Sequence, residues 1–348
     1  MTSETAERAK TAVSAGSSKA DASNATIPEA LAQRILEKRG RLDALRPIPK
    51  ASLEKLRERF ELEWTYNSNA IEGNTLSMRE TMLVLREGLT IGGKSLREHL
   101  EVTNHKAAID FVYGLLEKKT ITERDVLEIH ALILDRIDPT GAGFYRHERV
   151  RITGSDFSLP SPEKVPALMA DFVASFSKEP KEKEPKDLLA AVEFSALAHF
   201  KLVDIHPFID GNGRTARLLM NLFLMRRGFP PAVILKNDRP RYYASLDAGH
   251  KGDVRPFVEF VARSVERSLD LYLEVLEKPS GKTDLISLAE AAKLTPYSQE
   301  YLSLLARKGR LHALKRRRNW VTTRKEVEGY LASVGVNKKS PKSLKSLG

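Results

Sequence analysis

The sequence predicts an all-α body carrying one small β-hairpin, followed by a short module of mixed helices and strands. Three observations lead there. Apolar residues recur at helical spacing from Pro28 to Leu276. Strand-like alternation is scarce over the same stretch. Near residue 281 the composition changes, and basic residues begin to outnumber acidic ones.

Residues 1–27 are rich in Ala, Ser, Thr, Lys and Glu without periodicity and are expected to be disordered. A helical region, 28–105, follows. It opens with Leu31, Ile35, Leu42 and Leu45, then resumes after the Pro47–Pro49 break with Leu53, Leu56, Phe60 and Trp64. Further helices are expected over Leu76–Glu87, Leu96–Leu116, Thr122–Ile137, Glu163–Ser177, Leu188–Val203, Arg214–Arg227 and Arg255–Leu276. Those beyond Leu116 fall within a main domain, 106–276. Ser52, Ser77 and Thr122 read as N-caps, and Gly88 and Gly228 as stops. The best strand candidate is Glu148–Thr153, leading into a loop with Pro160 and Pro162. Lys278–Gly281 reads as a linker to a small domain, 283–334, and a basic tail, 335–348.

Composition narrows the chemistry. There is no cysteine among 348 residues, which excludes disulfides, a thiol nucleophile and the usual structural zinc sites. No run approaches the length of a membrane span, and the first 30 residues lack a signal-type apolar stretch, so the expectation is a cytoplasmic protein with no membrane partner. The net charge of +11 is unevenly placed: residues 281–348 hold 15 Lys/Arg against 5 Asp/Glu, and the rest of the chain is nearly balanced. The basic excess therefore bears on the small C-terminal domain.

The most informative stretch is His206-Pro-Phe-Ile-Asp-Gly-Asn-Gly-Arg-Thr-Ala-Arg217. It links two apolar helices. Gly211 and Gly213 allow a close backbone approach, and the N–H groups at the following helix start form an anion cradle suited to phosphate. Arg214 and Arg217, three residues apart, reach further phosphates from one helix face. Asp210 offers a hard oxygen for Mg²⁺. His206, at the other end of the loop, suits a general base. The chain has no GxxxxGK[ST] loop and no kinase-like residue set.

These twelve residues resemble the signature of the Fic family, HPFx(D/E)GNGRxxR, at every defining position, and the similarity runs from about Thr65 to Leu273. The resemblance implies the all-α Fic fold with a hairpin flap, and transfer of AMP from Mg·ATP to a Ser, Thr or Tyr hydroxyl of a protein. By position, His206 is the base, Phe208 anchors the loop and Asp210 holds Mg²⁺. Gly211, Asn212 and Gly213, with Thr215 and Ala216 behind them, hold the α-phosphate. Arg214 and Arg217 contact the outer phosphates. Thr153, Gly154 and Ser155 stand where the family's flap aligns substrate backbone by strand addition. Tyr242 and Tyr243 resemble adenine-side residues. His250 departs from the Asn common in close relatives, which weakens the assignment of a nucleotide contact there.

Ser68-Asn69-Ala70-Ile71-Glu72-Gly73-Asn74 resembles the inhibitory motif (S/T)xxxE(G/N), here in the class II position before the core. Gly73 would end a helix with Glu72 in its last turn, where an acid is disfavoured by about 0.3–1 kcal/mol. The resemblance implies that Arg217 supplies the compensating cation, so that the pair denies the arginine to the γ-phosphate. The same glutamate aligns a water for AMP removal in relatives, so a mainly de-AMPylating enzyme is the near alternative. The stretch Gly92–Leu100 lies where some members form homodimers, with Leu96 as the contact candidate.

Thr283–Ser333 reads as helix, turn, helix, two strands and helix, and resembles a small winged helix-turn-helix. If it meets DNA, Gln299 at the second helix start and Arg316, Arg317 and Arg318 on the wing are the contact candidates. A DNA-binding regulator on a Fic scaffold is thus the reading from a different class.

Overall fold

The computed structural model describes residues 27–152, 157–180, 185–277, 285–308, 310–316 and 319–333. The flap residues Thr153, Gly154 and Ser155, the linker 278–281, Arg317, Arg318 and the tail 335–348 lie outside them, as does 1–26. Ile27, placed in the expected disordered segment, is instead buried, and its N–H donates to Glu193. The chain divides into two compact units, Met1–Leu276 and Glu277–Gly348.

Among its described residues the first unit is built from α1 (Glu29–Ala44), α2 (Lys50–Ile71), α3 (Met78–Glu87), α4 (Leu96–Gly114), α5 (Glu123–Leu134), α6 (Val165–Ala174), α7 (Pro185–Ile205), α8 (Asn212–Arg226), α9 (Arg239–His250) and α10 (Arg255–Leu276). None of the described helices is long and apolar enough to cross a membrane. The organising element is α8, whose residues from Arg214 to Leu224 are all buried. It packs on α7, and α2, α4 and α5 close around it. Leu218, Leu219, Leu222 and Phe223 supply the apolar part, each worth roughly 1.5–3 kcal/mol of burial. Arg214, Thr215 and Arg217 are buried on the same helix, and such polar burial is costly unless it is partnered.

Three sequence expectations shift. Ser77 caps α3 with a reciprocal bond to Glu80, and Asp125 accepts from the backbone and hydroxyl of Thr122 before α5. Ser52, however, lies inside α2, which starts at Lys50 directly after Pro49. Helix α9 lacks a clean apolar stripe, since RPRYYASLDAGH mixes arginines with small residues, and its Pro240 sits in the first turn where a missing N–H costs nothing. The Glu148–Thr153 candidate forms no strand over its described part. The buried Arg146 explains this: its guanidinium donates to the carbonyls of Glu148 and Pro160, pinning the two sides of the segment without a ladder.

The second unit contains β1 (Leu285–Ser287), α11 (Leu288–Leu294), α12 (Gln299–Arg307), β2 (Leu314–Arg316), β3 (Asn319–Thr323) and α13 (Arg324–Ser333). Its antiparallel sheet has the order β1-β3-β2, with Lys315 opposite Trp320. Ile286, Leu288, Ala291, Leu302, Leu305, Leu311, Val327 and Leu331 form its own core. Three-residue β1 is too short to leave a periodic signal in sequence. Gln299 is exposed at the start of α12.

The capping assignments have a direct check in urea unfolding. Ser77→Ala should lower the unfolding free energy by about 1 kcal/mol, whereas Ser52→Ala should change it by less than about 0.5 kcal/mol.

Candidate active site

The loop His206–Gly211 turns the chain from the end of α7 into the start of α8. It is stapled from within: the Asn212 amide donates to the Phe208 carbonyl at 2.9 Å and its oxygen accepts from the Phe208 N–H at 3.0 Å. The Asn212 side chain is therefore spent on the loop itself, and what this residue offers an anion is its backbone N–H. With the N–H groups of Gly213 and Arg214 it lies in the first turn of α8, where no intrahelical acceptor exists.

Outside the loop, His130 of α5 braces it. Its ring stacks on Phe208 with centroids 3.6 Å apart. Its Nε2–H donates to the Asp210 carbonyl at 3.0 Å, and its Nδ1 accepts from the Gly143 N–H at 3.0 Å. The bond accepted at Nδ1 requires the neutral ring, and burial lowers the His130 pKa to about 4. Gly211, at φ 79°, lies directly under that ring, so a Cβ there would press on it as well as strain the backbone. On the other side, Arg146 donates through Nε to the His206 carbonyl at 2.7 Å.

His206 has φ 51°, an uncommon conformation for a residue with a side chain. Its Nδ1–H donates to the Val203 carbonyl at 3.3 Å, which makes Nε2 the lone-pair nitrogen of the neutral ring. Burial lowers its pKa to about 4, with Arg146 acting in the same direction and Glu72 opposing. Its ring is thus uncharged at neutral pH.

Glu72 is the C-cap residue of α2, and its carboxylate reaches the first turn of α8. Glu72 Oε1 accepts from Arg217 Nη2 at 2.7 Å and lies where a Cβ on Gly213 would have to sit. An acid that its own helix end disfavours is thereby held at the N-terminus of another helix, where it is favoured. Arg217 also donates to the Ser68 hydroxyl at 2.9 Å, to the Ser68 carbonyl at 3.0 Å and to the Tyr242 hydroxyl at 3.4 Å. Burial, the largest single effect, pulls its pKa down, but the charge and hydrogen bond of Glu72 together with Tyr242 and Tyr243 outweigh that and leave it raised. The Tyr242 hydroxyl meets His199 Nε2 at 3.0 Å as well, so Tyr242 is a buried partner of Arg217. Tyr243 carries Arg239 4.7 Å above its ring.

Glu72 stands between two cavities. One, of about 220 Å³, is lined by His206, Gly213, Tyr242, Tyr243 and His250. The other, of about 470 Å³, is lined by Asn74, Arg97, Glu101, Asp210 and Arg214. In the second, Asp210 Oδ1 accepts from the Gly211 N–H at 2.6 Å and from Arg214 at 3.1 Å. Burial pushes Asp210 up, yet Arg214, the Gly211 N–H and Arg97 bring it below the usual carboxylate range. Arg214 Nε is buried without a hydrogen-bond partner. Among the described residues no three His, Cys, Asp or Glu side chains gather as a metal site. A cation at Asp210 would thus depend on phosphate oxygens and water for its other ligands, which fits Mg²⁺.

The loop residues and Glu72, far apart in sequence, thus meet at one place. Thr215 and Ala216 are fully buried behind the loop. His250 lines the smaller cavity with both ring nitrogens buried and without hydrogen-bond partners, stacked on Phe157 at 4.0 Å. Leu96 is 74% exposed at the start of α4. Sequence reasoning missed His130 and Arg146. A histidine on the apolar face of α5 looks like any packed histidine, and Arg146 stands alone in a loop.

Residues 120–224 match the model of the Fic/DOC family. The chain is 43% identical over 252 residues to a protein adenylyltransferase Fic from Nematostella vectensis, covering 71% of this chain and 56% of that one. The relative of the same name from Drosophila melanogaster is 38% identical over 253 residues, covering 72% and 50%. The chain therefore spans about half the length of these relatives. Among solved structures, Fic-1 (residues 134 to 508) from C. elegans aligns with a TM-score of 0.63 at 38% identity, covering 72% of this chain and 74% of that one. A Fic-domain signalling protein from Bacteroides thetaiotaomicron aligns with a TM-score of 0.63 at 31% identity, over 70% and 97%.

The histidine brace makes stability depend on pH. The unfolded imidazole takes a proton near pH 6.5, while His130 in the folded protein resists it down to about 4. Its contribution is thus complete above 6.5 and is lost as the pH falls toward 4. His130→Gln should shrink the loss of unfolding free energy between pH 6.5 and 5 by about 2 kcal/mol, read from urea titrations. An unchanged pH dependence would show that His130 titrates in the folded protein as it does in the unfolded chain.

Proposed function

The chain belongs to the Fic/DOC family, and from that membership we propose that it is a Mg²⁺-dependent protein adenylyltransferase, restrained by Glu72. One observation carries the proposal: His206 and the anion-binding start of α8 open into the same cavity. In this reading a nucleotide places its base side among Tyr243 and His250 and its α-phosphate on the N–H groups of Gly213 and its neighbours. A protein hydroxyl held beside His206 loses its proton to Nε2, and its oxygen attacks the α-phosphorus. The bond between the α-phosphorus and the bridging oxygen breaks, and pyrophosphate leaves with that oxygen. Mg²⁺ on Asp210, when bound, neutralises phosphate charge. Arg214 and Arg217 are assigned to the outer phosphates, so catalysis is positioning and charge stabilisation.

Glu72 opposes this in two ways. Its carboxylate takes the first-turn anion position, and it occupies the arginine assigned to the γ-phosphate. The glutamate also lines the cavity that holds His206, which favours a second reaction at the same site: water positioned by Glu72 removes AMP from modified protein.

Auto-modification with α-labelled ATP tests the proposal. Glu72→Gly should raise label incorporation by roughly one to two orders of magnitude. His206→Ala in that background should lower it by roughly 10²–10⁴. If Glu72→Gly leaves incorporation at the level of the unaltered chain, the restraint is not Glu72.

The pH profile is a separate check. A His206 pKa of about 4 keeps the base deprotonated well below the ordinary imidazole range. For the Glu72→Gly variant, kcat/KM should be flat between pH 5.5 and 7.5. A fall on acidification through pH 6.5 would instead mark an unshifted histidine.

A further inference from the structure

Asp210 has two carboxylate oxygens, and they are used differently. Oδ1 faces inward, onto the Gly211 N–H and Arg214. Oδ2 accepts from Arg97 Nη2 at 2.8 Å. Arg97 sits in the first turn of α4, 113 residues away in sequence, and its Nε also meets Glu101 Oε1 at 3.2 Å. Glu101 in turn lies 3.7 Å from Arg214 and accepts from the Asn74 amide at 2.9 Å. The outer oxygen of Asp210, the one turned away from the loop's own N–H, is thus closed by a cation from another helix.

We infer that Arg97 is a resident counter-ion that competes with the divalent cation for Asp210 Oδ2, a hold on the metal side of the site that is separate from Glu72. The inference rests on the assignment of Asp210 as the metal-holding carboxylate. Oδ1 already accepts two donors from its own loop and helix, so Oδ2 is the oxygen that a cation takes with least rearrangement. A guanidinium and a metal ion cannot both sit on it. The Arg97 side chain is 58% exposed, so little packing is lost when it swings into water, and exposed pairs of this kind hold weakly. The arrangement is accordingly a reversible tether whose strength subtracts from metal affinity. It acts on a different residue from the Glu72–Arg217 pair, so the two holds are releasable one at a time.

The test measures metal binding directly on the full chain, with Mn²⁺ as the probe and a non-hydrolysable ATP analogue present, by the loss of the free Mn²⁺ paramagnetic resonance signal. Arg97→Gln should lower the Mn²⁺ dissociation constant by roughly three- to tenfold. Lys94→Gln removes a neighbouring positive charge that is held on Thr75, and it should have a clearly smaller effect. In an Asp210→Asn background the gain from Arg97→Gln should vanish. An unchanged dissociation constant in Arg97→Gln, with Asp210→Asn still weakening Mn²⁺, overturns the role of Arg97 and leaves the metal assignment standing. An equal gain from Lys94→Gln reduces the effect to the general field and also overturns it. If Asp210→Asn binds Mn²⁺ as tightly as the unaltered chain, the metal assignment itself fails, and the inference with it.

Discussion

The site depends on where one carboxylate is allowed to rest. Arg217 is buried within the first unit, and a buried guanidinium without a counter-charge is costly by several kcal/mol. Glu72 supplies that charge, but only because α2 ends where α8 begins and Gly213 leaves room for the oxygen. Remove the close approach and two burdens return: an acid at a helix C-terminus and a cation in the core. The pair settles both, so the chain has reason to hold this arrangement. Under the proposed function, a bound phosphate would offer the same compensation to Arg217, so ligand and glutamate would compete for it.

Around that pair, the His206–Gly211 loop is fixed by side chains of its neighbours and of its own Asn212. Asn212 closes it from inside, His130 presses on Phe208 and holds the Asp210 carbonyl, and Arg146 ties the His206 carbonyl to the segment around Pro160. These contacts join α5, the 146–160 segment and the start of α8 into one frame. The unusual backbone of His206 is affordable inside such a frame, because neighbouring hydrogen bonds over-determine it. Position is thereby set by the fold itself.

Much of this was legible in the sequence, for identifiable reasons. The loop motif spans twelve consecutive residues, so its spacing together with the family resemblance marked the place of the site, and the long amphipathic helices announced themselves by period. Glu72 was singled out by the resemblance of Ser68–Asn74 to the inhibitory motif, with the helix-ending Gly73 in support. What stayed hidden depends on contacts between distant segments. His130 and Arg146 have no local pattern. Asn212 was assigned to the ligand, whereas its amide serves the loop, a distinction only geometry draws. Tyr242, assigned to the base side, lines the smaller cavity, but the bonds of its hydroxyl to Arg217 and His199 had no signal in the sequence. Helix α9 escaped because its sequence lacks an apolar stripe, and the expected strand at 148–153 failed because an arginine side chain took over the work of a ladder.

The placement of Glu72 between two cavities has a consequence for which small molecules the protein can tell apart. If nucleotides bind as proposed, an uncharged nucleoside confined to the 220 Å³ side would leave the Glu72–Arg217 pair in place. A molecule bearing a polyphosphate chain would extend past Gly213 and compete with the carboxylate for Arg217. On that reading the barrier between the two chambers would discriminate by charge and reach. Recognition of the base and commitment of the phosphates would then be two separable events.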